Sequence, residues 1–304
     1  MGKKIAVIGS SNMDIVTYID QIPGPGETRL AHDFHLAGGG KGANQAVAAA
    51  RLGADVLFVA VTGDDLFGEA VRRDYEAAGI DTRYVFVEKG TPTGNAVIPV
   101  EDSGQNRILV TKGANALLTP EKIQQAASAI ETCSLIVLQL EIPLESIYAV
   151  LELGKREGIP VLLNPAPANP DLSLEMACLA TYFVPNESEL AILTGMPTGT
   201  VDEIKAAARS LLARGMKKII VTMGSRGSLY LTSDHEEIIE TTKVRAVDST
   251  GAGDAFIGCF AAELAEGVPT IDALKRASKY AALSVTKKGT QDSYLTREEF
   301  LTAR

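Results

Sequence analysis

Between Val247 and Phe256 the chain reads Val-Asp-Ser-Thr-Gly-Ala-Gly-Asp-Ala-Phe, small residues running into a carboxylate and then into an apolar helix. Amides at a helix N-terminus lack intrahelical acceptors and carry the positive end of the helix dipole. Gly251, Ala252 and Gly253 are therefore suited to hold a phosphoryl group while Asp254 takes a proton from an attacking hydroxyl. The simpler alternative is an N-capping aspartate after a glycine turn. A second cluster, Ala37 to Val47, contains Gly39, Gly40 and Lys41 before an alanine-rich helix, with Asn44 offering both a donor and an acceptor to hydroxyls. It is not a Walker A loop, because Lys41 is followed by Gly42 and the place of the first glycine is taken by His35. Nor does a Gly-x-Gly-x-x-Gly fingerprint follow the first apolar run. Asn12 and Asp14 stand two apart, so an extended backbone points both to one side, where such a pair reads the hydroxyls of a neutral sugar. The alternative there is an Asx-rich loop holding its own turn.

The elements that must position these groups are short apolar runs alternating with helix-length amphipathic stretches. That rhythm predicts an α/β fold, a doubly wound, largely parallel sheet flanked by helices. Strands are expected at Ile5 to Ile8, Val56 to Val61, Leu135 to Leu140, Val161 to Leu163, Tyr182 to Val184 and Ile219 to Met223. Helices are expected at Ala43 to Leu52, Gly68 to Ala78, Pro120 to Glu131, Ser146 to Arg156 and Ile204 to Arg214. Thr119-Pro120 reads as a helix start, a capping hydroxyl before a proline at the first helical position. The polar motifs fall after strands, at the sheet edge where open α/β folds bind ligands: Ser10 to Asn12, Glu141, Asn164, Asn186 with Glu189, and Gly224 to Gly227. Two stretches, residues 15–38 and 93–111, break the rhythm and read as a small β-sheet lid inserted in one domain spanning 1–304. Such a lid would exclude water from a phosphoryl donor; a structural or dimer-forming flap is the other reading.

With 46% hydrophobic and 22% charged residues the chain has the composition of a globular protein with a sizeable core. A net charge of −9 without a basic block argues against nucleic-acid binding and against an anionic membrane surface. Cys133, Cys178 and Cys259 are far apart and lie in apolar surroundings, so they read as buried thiols of a reducing compartment, without zinc-site spacing. Met1-Gly2-Lys3-Lys4 precedes only a short apolar run, and position 6 is Ala, so neither a signal peptide nor a myristoylation site is expected and a cytoplasmic location is.

Taken together, Gly9 to Asp14, Gly39 to Gln45, Asn164 to Ala168, Pro185 to Glu189, Thr222 to Gly227 and Asp248 to Asp254 resemble the ribokinases, within the PfkB-type carbohydrate kinases. The resemblance runs the length of the chain. It implies ATP-dependent phosphorylation of D-ribose at O5, with Asp254 as general base and Gly251 to Gly253 as anion hole. It also implies sugar binding by Asn12, Asp14, Gly39, Gly40, Asn44 and Glu141, with Lys41 beside sugar and phosphates. Asn186 and Glu189 would serve phosphate and Mg2+ through water, Thr222, Met223, Gly224, Ser225, Arg226 and Gly227 would form the nucleotide loop with Gly253, and Ser278 would lie near the adenine. An activating K+ is implied beside Asp248, Thr250, Ser284, Lys287, Gly289 and Ser293, unless Asp248 only fixes its loop. A homodimer through the lid is the implied assembly.

Two other functions remain in view. Phe256 to Phe260 and Ser284 to Tyr294 look more like deoxyribokinases, whereas Asn12 stands where those are expected to carry an apolar Met. A buried polar group facing a missing hydroxyl is left unpaired, so Asn12 with Asp14 favours a sugar that has its O2. A non-catalytic sugar or nucleotide sensor on the same fold is the third reading, which the intact Asp254 and its glycines oppose.

Overall fold

A computed structural model describes residues 4–303; the expectations attached to Met1, Gly2 and Lys3 lie outside them. From the N-terminus run β1 (Lys4–Ile8), β2 (Asn12–Ile19), β3 (Asp33–Gly39), α1 (Lys41–Arg51), β4 (Asp55–Gly63), α2 (Leu66–Ala77), β5 (Asp81–Glu88), β6 (Gly94–Glu101), β7 (Leu109–Thr111), α3 (Pro120–Ile130), β8 (Leu135–Leu138) and α4 (Leu144–Glu157). There follow β9 (Val161–Leu163), α5 (Leu174–Ala177), β10 (Tyr182–Phe183), α6 (Glu187–Thr194), α7 (Val201–Ala213), β11 (Lys218–Thr222), β12 (Ser228–Leu231), β13 (Glu236–Ile239), α8 (Ala252–Ala265), α9 (Thr270–Ser284) and α10 (Arg297–Thr302).

The main sheet is nine-stranded in the order β13-β12-β11-β10-β9-β8-β1-β4-β5. From β11 through β5 every pairing is parallel, and β12 and β13 extend it antiparallel. Period-two alternation divides the core: Ile5 and Val7 pack with α1, α2, α8 and α9, while Ala6 and Ile8 pack with α3, α4 and α7. Both faces are thus covered, which is why the strands read as continuous apolar runs.

The second sheet is four-stranded, β3-β2-β6-β7. It starts at Asn12 and closes at Gly39, so the residues that flank the sugar motif belong to it. The expected strands and helices all occur, with ends shifted by a few residues. Three expectations need correction. Thr119 occupies the N-cap of α3, but its hydroxyl does not cap; it partners the Glu121 carboxylate instead. Cys178 is partly exposed, while Cys133 and Cys259 are buried. No strand was expected at Asp81–Glu88, whose charged residues suit the sheet edge that β5 forms.

Candidate active site

Helix α8 begins with Gly251 at its N-cap, φ +75°, a left-handed conformation that favours glycine. A β-carbon on Gly251 would also collide with Thr290, and Tyr294 Oη donates to the Gly251 carbonyl at 3.1 Å, so the C-terminal loop buttresses this turn. The Ala252 amide turns back to the Ser249 carbonyl at 3.3 Å, while those of Gly251 and Gly253 meet no backbone acceptor among the described residues. Two amides thus stand free at the start of α8, where the sequence motif led to the expectation of an anion cradle. The N-terminus of α1 is different: its amides are consumed by Glu141 Oε2 (Lys41 N, 2.9 Å), Ser10 Oγ (Gly42 N, 3.2 Å) and the Ser10 carbonyl (Ala43 N, 2.9 Å). Gly42 there serves packing, since a β-carbon on it would fall onto the Gly9–Ser10 backbone.

Asp254 lies in the first turn of α8, 5% exposed. Asn44 Nδ2 donates to its Oδ2 at 3.0 Å and Gln45 Nε2 to its Oδ1 at 2.9 Å. Both donors ride on α1, which approaches α8 closely because Gly258 has no side chain to strike Ala48 and the Gln45 carbonyl. Behind them, Gln45 Nε2 also reaches Asn164 Oδ1 (3.2 Å), and Gln139 Nε2 donates to Gln45 Oε1 (2.7 Å). Gln139 Oε1 is buried without a partner among the described residues. Gln291 Nε2 donates to Asn44 Oδ1 at 2.9 Å, tying the C-terminal loop to the same carboxylate. Gln139 and Gln291 were not singled out from the sequence, and Gln45 appeared there only within its motif.

A cavity of about 60 Å³ lies between Asp254, Gly253, Lys41, Asn186, Glu189 and Thr222, room for one small group beside the Asp254 carboxylate. Lys41 is held well in its charged form, chiefly by Asp254 and further by Glu141 and Glu189, against the cost of burial. Asn186 and Glu189 form a capping box on α6, each side chain accepting from the other's amide at 2.8 Å. Burial pushes the Glu189 carboxyl up, opposed by that bond and by Lys41.

On one side the small cavity adjoins a larger one, about 400 Å³, lined by Thr222, Gly224, Ser225, Gly227, Gly253, Phe256, Ser278 and Ala281. Its apolar walls suit a flat aromatic base. Met223 is instead buried in the core, and Arg226 turns away to Glu187 and the Gly199 carbonyl, so neither lines it. On the other side, the second sheet presents Asn12 and Asp14 with Gly39, Gly94, Ala37 and Ala96 as cross-strand neighbours; small residues beside two polar ones leave room for a ligand. Asp14 lies against Gly39, and burial, with Glu141 and Asp254 nearby, pushes its carboxyl up to about 7. Glu141 Oε2 accepts from Ser10 Oγ and the Lys41 amide. A cavity of about 300 Å³ joins Asn12, Lys112, Asn115, Glu141 and Ala168.

The Asp248 carboxylate clamps its loop, accepting from the amides of Thr250 (2.9 Å) and Gly289 (3.0 Å). The Ser284 carbonyl accepts from the Lys287 amide, and Ser293 Oγ donates to the Thr290 carbonyl. Among the described residues no group of three or more His, Cys, Asp or Glu is placed to hold a metal ion.

Residues 2–297 match the model of the pfkB family carbohydrate kinases. The chain belongs to this family. It is 51% identical to a deoxyribokinase of Salmonella typhi over 296 residues, 97% of each chain, and 42% identical to the ribokinase of Bacillus subtilis over 297 residues, 98% of each. Its fold superposes on the Arabidopsis thaliana ribokinase complexed with ribose and ATP with a TM-score of 0.91 and 33% identity, covering 99% of this chain and 98% of that one. The protein is accordingly an ATP-dependent sugar kinase, and the α/β architecture is the ribokinase-like one. No helix among the described residues is long and apolar enough to cross a membrane.

Proposed function

We propose that this kinase phosphorylates D-ribose at O5. The observation that carries the proposal is the pair Asn12 and Asp14 on one face of β2, with Asp14 near enough to Glu141 and Asp254 to feel their charges. Asp254 takes the proton of the primary hydroxyl as its oxygen attacks the terminal phosphorus of ATP and the bond to ADP breaks. The amides of Gly251 and Gly253 and the Lys41 ammonium hold the transferring group in the 60 Å³ space, with the adenine in the larger cavity. Mg2+ carried by ATP neutralises phosphate charge when bound, and the Glu189 oxygen not used by the capping box is the residue to hold it, through water. The residues expected beside K+ would offer it backbone carbonyls and the Asp248 carboxylate, oxygens that suit the ion; removal of K+ in favour of a large organic cation should lower activity without unfolding the protein.

The outer face of the lid supports a homodimer. Leu36, Ile15, Val97 and Leu109 stand in one cross-strand row opposite the Asn12–Asp14 face, and Leu36, Val97 and Leu109 are exposed. Light scattering on Leu36→Lys with Leu109→Lys, expected to yield monomers, tests it. The net charge of −9 without a basic block supports an enzyme that binds neither nucleic acid nor an anionic membrane surface.

The higher identity to a deoxyribokinase favours a second reading, 2-deoxy-D-ribose as substrate. Comparing kcat/KM for the two sugars with magnesium-ATP and potassium decides: a ribose preference supports the first reading, a 2-deoxyribose preference replaces it, and turnover of neither refutes both.

A further inference from the structure

We infer that Asn115, a residue of the 3₁₀ turn Gly113–Leu117, is a positioning residue for sugar specificity: it fixes which end of the Asn12 amide faces the substrate. The inference rests on the ribose reading above. Asn115 is 2% exposed and Asn12 4%, so the bonds between them are made away from bulk solvent. The Ser11 amide donates to Asn115 Oδ1 at 2.8 Å, while Asn115 Nδ2 donates to the Ser11 carbonyl at 3.2 Å and to Asn12 Oδ1 at 2.7 Å. A backbone N–H is only a donor, so the Asn115 atom facing it must be the oxygen. The other end of Asn115 is then the NH2 group, and Asn12 must meet it with its own oxygen. What remains for the cavity is Asn12 Nδ2, which meets no acceptor among the described residues.

Asn12 is therefore a donor toward the sugar, and Asp14, on the same strand face and lining a neighbouring cavity of about 380 Å³, is the acceptor that reaches the sugar from there. A secondary hydroxyl accepts from the first and donates to the second, using both of its capacities; a CH2 group uses neither. The fold makes room for the arrangement with a glycine. Gly94 on β6 pairs with Asn12, and a β-carbon there would fall onto Asn115 Nδ2 and Asn12 Oδ1, on the bond itself.

Asn115→Asp keeps the acceptor for the Ser11 amide but places an oxygen against Asn12 Oδ1. Asn12 must then reverse and offer its oxygen to the sugar, leaving the hydroxyl between two acceptors. Asn12→Asp offers an oxygen to the cavity without touching Asn115, and Gly94→Ala separates the two amides without altering either. The experiment is steady-state kinetics with D-ribose and 2-deoxy-D-ribose on the full chain and the three variants, with urea melts to verify folding. All three should lower the ratio of kcat/KM for ribose to that for 2-deoxyribose by about tenfold or more, through KM for ribose, the size of one lost hydrogen bond. Unchanged ratios in Asn115→Asp and Gly94→Ala, or equal losses on both sugars, would overturn the role of Asn115 whatever the wild-type ratio is. A wild-type ratio below one would instead overturn the ribose reading. If Asn115→Asp does not fold, Gly94→Ala carries the same test.

Discussion

Replacing Gln45 by Leu separates the catalytic use of the buried amide chain from its structural use. Gln45 and Gln139 are both 0% exposed, and Gln45 joins Gln139 to Asp254. Gln45→Leu removes one of the two hydrogen bonds that aim the Asp254 carboxylate, worth about 1.5–3 kcal/mol of stability; a base left free to turn from the attacking hydroxyl should lower kcat by roughly tenfold or more. The same change strands Gln139 Nε2, whose side-chain oxygen already lacks a partner, at a cost of about 1–3 kcal/mol of stability. Asn164 Oδ1 also loses a donor but lines the small cavity, where water can replace it. Adding Gln139→Leu removes the stranded amide. The double variant should regain in urea unfolding the part of the loss that the stranded amide caused, because replacing both partners of the Gln139–Gln45 bond by apolar groups of similar shape is nearly neutral, while the loss at Asp254 remains. Its kcat should stay low. Recovery of kcat in the double variant would refute an action of Gln45 on Asp254, and a double variant no more stable than the single would refute the stranded-amide account.

Asp254→Asn should lower kcat by on the order of 10²–10⁴ with little change in sugar KM, in steady-state assays, since it removes the base and sets an NH2 group against the donors of Asn44 or Gln45. Burial first, then Glu141 and Asp254, lifts Asp14 from 3.8 to about 7, so between those values the folded chain holds a proton that the unfolded chain releases. Its contribution to stability is full below pH 3.8 and is lost as pH rises through 7; Asp14→Asn should flatten urea-melt stability across that window. The same ionisation makes Asp14 a stronger acceptor, so sugar KM should fall as pH rises through 7 in wild type and not in Asp14→Asn. Gly258→Ala drives a methyl into Ala48 and the Gln45 carbonyl, and should cost about 1–3 kcal/mol in urea melts and lower kcat as Asn44 and Gln45 shift on α1.

What the sequence made legible was local. Gly251 to Asp254 declare a helix start and a base within four residues, and Asn12 with Asp14 need only a strand's alternation to share a face. The partners that aim these groups come from far along the chain: Asn115 lies 103 residues from Asn12, Gln45 209 from Asp254 and Gln291 247 from Asn44. No local pattern distinguishes a glutamine that reaches a buried carboxylate from one on the surface. Residues 38–42 show a different limit. Their glycines looked like a ligand cradle beside that of α8, yet the α1 amides are spent on Ser10 and Glu141, an outcome that follows only from the packing of Gly42 on Gly9. Asn186 with Glu189 and Asp248 turn out to hold their own backbone turns whatever else they bind.

The second sheet begins at Asn12, directly after the segment Gly9 to Ser11 that leaves β1. That segment is pinned on every side, by Asn115 at Ser11, by Glu141 at Ser10 and by the first turn of α1. The opposite end, Asp20 to His32 with Asp102 to Gln105, is exposed. The sheet is therefore held into the body of the protein at the Asn12 end, while its other end meets solvent and, among the described residues, is tied only within itself, by bonds such as His32 N to the Tyr18 carbonyl and Ile22 N to Glu101. On the reading proposed above, the residues that sort hydroxyls stand at the anchored end of this sheet, so substitutions at the far margin should leave the choice among sugars unchanged.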